Sequence, residues 1–72
     1  MSPRLNHAER VAIARARVDE GRRIVRRQRE MIATHTADGK DIEEAQRLLD
    51  TFERSLVILE DDLDELLMNG RS

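Results

Sequence analysis

The chain has 72 residues and no cysteine, so it reads as one small domain without disulfides or thiolate metal sites. Charged residues make up 39% and aromatics 1%, with a formal net charge of −2; a dominant basic surface is excluded, and no apolar run approaches the roughly 20 residues of a membrane span. A core this small supplies only about 3–5 kcal/mol, and without disulfides or thiolate-bound metal the expected supplement is oligomerisation.

Ser2-Pro3 and Asn6 are competing helix starts. Pro3 suits a first helical position behind a Ser2 cap, whereas Asn6 with Glu9 three residues on has the pattern of a capping box. The first helix is expected over about 4–36. Its seam places Val11, Val18, Val25 and Ile32 at heptad position a, and Ala14, Gly21, Gln28 and His35 at d. Gly21 costs about 1 kcal/mol relative to alanine in mid-helix. Room for a large facing side chain would offset that cost.

Asp38-Gly39-Lys40-Asp41 is the one clear break, giving an expected turn over 37–41. Gly39 suits the left-handed residue that ends a helix, and Asp41 with Glu44 reads as a second capping box. A loop this short makes the two helices antiparallel neighbours.

The second helix is expected over about 42–68. Its steps of three and four do not slip: Ile42, Leu49, Leu56 and Leu63 at a, Ala45, Phe52, Leu59 and Leu66 at d. With a turn between Asp38 and Gly39, facing residues have numbers that sum to about 77. Large residues then meet small ones, as in Gly21–Leu56, Ala14–Leu63 and Ile32–Ala45. The flanking charges give three expected pairs, Arg22–Glu53, Arg15–Glu60 and Arg17–Asp62. The fold class is therefore all-α: a two-helix antiparallel coiled-coil hairpin, forming one domain.

Five apolar residues fall off the seam along one edge: Ile13, Ile24, Met31, Leu48 and Ile58. They form a candidate self-association face, and its expected product is a homodimeric four-helix bundle. Another helical protein is a further candidate partner. Val57, Leu67 and Met68 lie elsewhere.

Charge is divided between the two halves. Residues 1–37 carry nine arginines against four acids, net +5, and residues 38–72 carry four basic residues against eleven acids, net −7. Arg22, Arg23, Arg26, Arg27 and Arg29 form a run of the kind that binds RNA or DNA, which is the alternative function. The acidic second helix and the want of aromatics for stacking weigh against it, in favour of a solvated, ion-paired face. From this division, two hairpins docked head to tail are the expected dimer geometry.

No catalytic, cofactor or metal site is read from the sequence. The acids from Glu60 to Glu65 point around the whole helix, and His7 and His35 would lie roughly 42 Å apart along one helix. Thr34, Thr36, Thr51 and Ser55 have no base poised by sequence. The expectation is a non-enzymatic protein with no small-molecule substrate, no cofactor and no membrane contact. The N-terminus has no signal-peptide apolar core, so the expected location is the cytoplasm.

Three segments carry a resemblance. They are Glu20-Gly21-Arg22-Arg23-Ile24-Val25-Arg26-Arg27-Gln28-Arg29, Asp38-Gly39-Lys40-Asp41, and Ala45 through Leu48-Leu49 to Thr51-Phe52-Glu53-Arg54-Ser55-Leu56. Over roughly residues 17–66 the chain resembles a group of small alphaproteobacterial proteins with a G-x-R-x-x-x-R-Q-R helix, a D-G-x-D turn and an A-x-x-L-L-x-x-F-E segment. The resemblance implies a bacterial helical hairpin and supplies no site or substrate.

Overall fold

Asn6 begins the first helix. Its side-chain oxygen accepts from the Glu9 amide at 2.8 Å, and its own amide donates to the Glu9 carboxylate at 3.4 Å. This reciprocal box meets two of the amides that a helix start leaves without partners. The Asn6 carbonyl accepts the first helical bond, from the Arg10 amide at 3.0 Å. A computed structural model describes residues 4–34 and 39–69, which form α1 (His7–Thr34) and α2 (Gly39–Asn69) and no strand among them.

Helix bounds differ from expectation in two places, the starts of α1 and α2. The Asn6 cap starts α1 at His7 rather than near residue 4. The described part of α1 ends at Thr34, and His35 and Thr36, expected at its end, lie outside the described residues. Thr34 turns its hydroxyl back onto the Glu30 carbonyl at 2.8 Å, meeting an acceptor of the last turn. Finally, α2 begins at Gly39, inside the expected turn, and no described glycine has positive φ. Gly39 is thus a first-turn residue and not a left-handed stop. Asp41 falls within the first turn, where a negative charge is favoured by the helix dipole.

The two helices pack antiparallel along the heptad seam. A Cβ on Gly21 would lie 3.1 Å from Leu56 Cδ1, and the Gln28 amide donates to the Ala45 carbonyl at 3.2 Å. Contacts that descend α2 as they ascend α1 fix the antiparallel sense. Every described seam residue is buried or half-buried, from Val11 to Ile32 and from Ile42 to Leu66. Neighbours off the seam are exposed, except for Glu53 and Glu60, which are half-buried.

The core is one side chain deep. Val18 is 2% exposed, Val25 4% and Leu49 8%; Gln28, 8% exposed, is the buried polar residue among the described ones. Gln28 is satisfied because its amide reaches a carbonyl of the facing helix, and no buried side-chain polar atom among the described residues lacks a partner.

Candidate functional site: the open edge of the hairpin

The two edges that flank the seam differ in chemistry. On one edge, Arg22 donates to Glu60 at 3.0 Å and Arg29 donates to Glu53 at 3.2 Å. These bonds bridge α1 and α2 and line a groove of about 390 Å³ with Arg26 and Val57. We call this the closed edge.

The cross-helix pairs are not those expected. Residue spacing sets Glu60 against Arg15 and Glu53 against Arg22, but each pairs with the arginine seven residues further along α1. Side-chain direction explains the shift. Each Cα–Cβ bond tilts toward the N-terminus of its own helix. In an antiparallel pair, an α1 side chain leans toward the chain termini and an α2 side chain leans toward the turn. Arg15 and Glu60 therefore diverge, whereas Arg22 and Glu60 converge. The third expected pair, Arg17–Asp62, lines a common groove, but no ion pair joins these two residues.

The opposite edge is open. All five residues assigned to it are exposed, from 38% for Ile24 to 61% for Ile58. Two grooves run along it. Toward the termini, Ile13, Ala14, Leu59 and Leu66 line a groove of about 430 Å³, with Arg10, Arg17, Asp62 and Glu65 at its rim. Toward mid-hairpin, Gly21, Ile24, Phe52 and Ser55 line another of about 230 Å³. Arg17 and Leu59 line both, so the two are continuous. Met31 and Leu48 extend the edge by their heptad positions and are equally exposed.

Leu5 also lines the terminal groove, a contribution missed in the sequence. It immediately precedes the Asn6 cap, where an apolar residue can staple onto the fourth helical residue. That residue is Arg10, not an apolar one, and Leu5 and Arg10 line the groove together. The cap position was the available signal.

The arginine run is partly consumed within the chain. Arg22, Arg29 and Arg23 are paired to Glu60, Glu53 and Glu20. Arg26 and Arg27 are exposed and enter no ion pair among the described residues. Among the described residues no group of three or more His, Asp or Glu side chains is placed to hold a metal, and no helix is long and apolar enough to cross a membrane. Comparison with protein families, curated proteins and solved structures finds no match to this chain.

Proposed function

We propose that the chain is a non-enzymatic helical interaction module that self-associates through its open edge, two hairpins forming a four-helix bundle. The observation that carries this reading is the contrast between an exposed row of five apolar side chains and a core of three well-buried ones. Exposed apolar rows of this kind on helices are covered by other helices. The open edge runs along a body 52 Å long, so a second hairpin laid against it can cover the apolar row over its whole length.

Sedimentation velocity at micromolar concentration tests the reading. The expected result is a dimer, dissociated by Ile24→Glu with Leu48→Glu while each chain keeps its helical circular dichroism. A fully folded monomer across that range would overturn it. Nucleic-acid binding through Arg22, Arg23, Arg26, Arg27 and Arg29 is the alternative, and retention of bulk RNA or DNA that weakens steeply with salt would favour it.

A further inference from the structure

The six charged residues best placed to choose a dimer geometry are not used by the hairpin. Arg10, Arg17 and Arg27 lie on the open-edge side of α1, and Glu44, Asp62 and Glu65 on that side of α2; all are exposed. Among the described residues none of the six enters an ion pair; the pairs there include Arg22–Glu60, Arg29–Glu53, Arg23–Glu20 and Arg47–Glu43. Glu20, the acid of α1 on this edge, lines the mid-hairpin groove and is held by Arg23 at 3.1 Å. The charges left over thus form a basic rail on α1 and an acidic rail on α2, with apolar residues interspersed along both.

Two symmetric arrangements lay this edge on a second copy of itself. A two-fold axis across the helices sets α1 on α1 and α2 on α2, turn beside termini. Basic rail then meets basic rail, and acid meets acid. A two-fold axis along the helices sets α1 on the partner's α2, turn beside turn, and each rail meets its opposite. The gross division of charge between the halves of the chain favours the head-to-tail form, but that division counts residues on the closed edge and the outer faces. Charges on the contact face itself decide partner orientation, because like charges brought together there are penalised.

Resting on the self-association proposed above, we infer that the partner is a second copy docked turn beside turn, with Arg17 facing the partner's Asp62 and Glu65. The same rails make the surface selective. An apolar helix with no acidic rail would leave Arg10, Arg17 and Arg27 without counter-charges.

Chain mixing tests the arrangement without interference from contacts inside one hairpin. Arg17→Glu and Asp62→Arg are made in separate chains, each confirmed helical by circular dichroism. Turn-beside-turn docking places two like-charge contacts in each variant homodimer and two opposite-charge contacts in the mixed dimer. The mixed dimer is expected to be roughly tenfold tighter than either homodimer at low salt. Arg10→Glu with Glu65→Arg repeats the test at the terminal end. If Arg17→Glu alone tightens its own dimer, or mixing brings no preference, the arrangement is overturned while self-association stands. A monomeric parent chain overturns both.

Discussion

Gly21 shows how one residue serves the seam. An added Cβ would meet Leu56 Cδ1 at 3.1 Å, Leu59 Cδ1 at 3.5 Å and Leu56 Cβ at 3.9 Å. The closest of these is the end of a half-buried leucine side chain, free to move by a few tenths of an ångström. The helix gains about 1 kcal/mol when glycine becomes alanine. We therefore expect Gly21→Ala to raise stability by about 0.5 kcal/mol, and Gly21→Leu to lower it by about 1–3 kcal/mol through overpacking, both read from urea midpoints at fixed protein concentration. Gln28 acts differently: it sacrifices apolar burial to hold a facing carbonyl, which ties one level of α1 to one level of α2.

The helices and their seam were legible because the pattern is redundant. Eight a and d positions on α2 repeat without a slip, and a one-residue error would have exposed them all. The ion pairs were not legible from residue numbers alone, since numbering locates Cα atoms and not the direction in which side chains lean. Arg22 and Glu60 are the instructive case. A double-mutant cycle on this pair is expected to give a coupling of about 0.5 kcal/mol, and a cycle on Arg22 and Glu53 a value near zero. Equal couplings would show that the closed edge has no fixed register. The start of α2 was also misplaced, because Gly39 suits both a helix stop and the unbonded first turn of the next helix.

At the scale of the whole molecule, the hairpin is a thin, elongated body of 52 × 26 × 16 Å. One long edge is sealed by arginine–glutamate bridges and the other is unsealed. The apolar residues of the open edge were legible, since they break the heptad on one consistent side. The unused charges beside them were not, because their availability follows from which arginines the closed edge consumes. If the open edge is the face that associates, as proposed above, its two-fold pairing covers both copies at once, so the expected assembly closes at two copies instead of growing into fibres.

The seam is best covered in its middle, where Val18, Val25, Gln28 and Leu49 lie, and only half-covered at Val11 and Leu66. Bringing the start of α1 to the end of α2 also closes far more intervening chain than the bond between Gln28 and Ala45, and loop closure grows costlier with length. The hairpin should therefore breathe like a zipper opened from the terminal end. Amide exchange is expected to be slowest near Val25 and Leu49 and to quicken toward His7 and Asn69, with the gradient flattening as protein concentration rises and a second copy clamps the terminal groove.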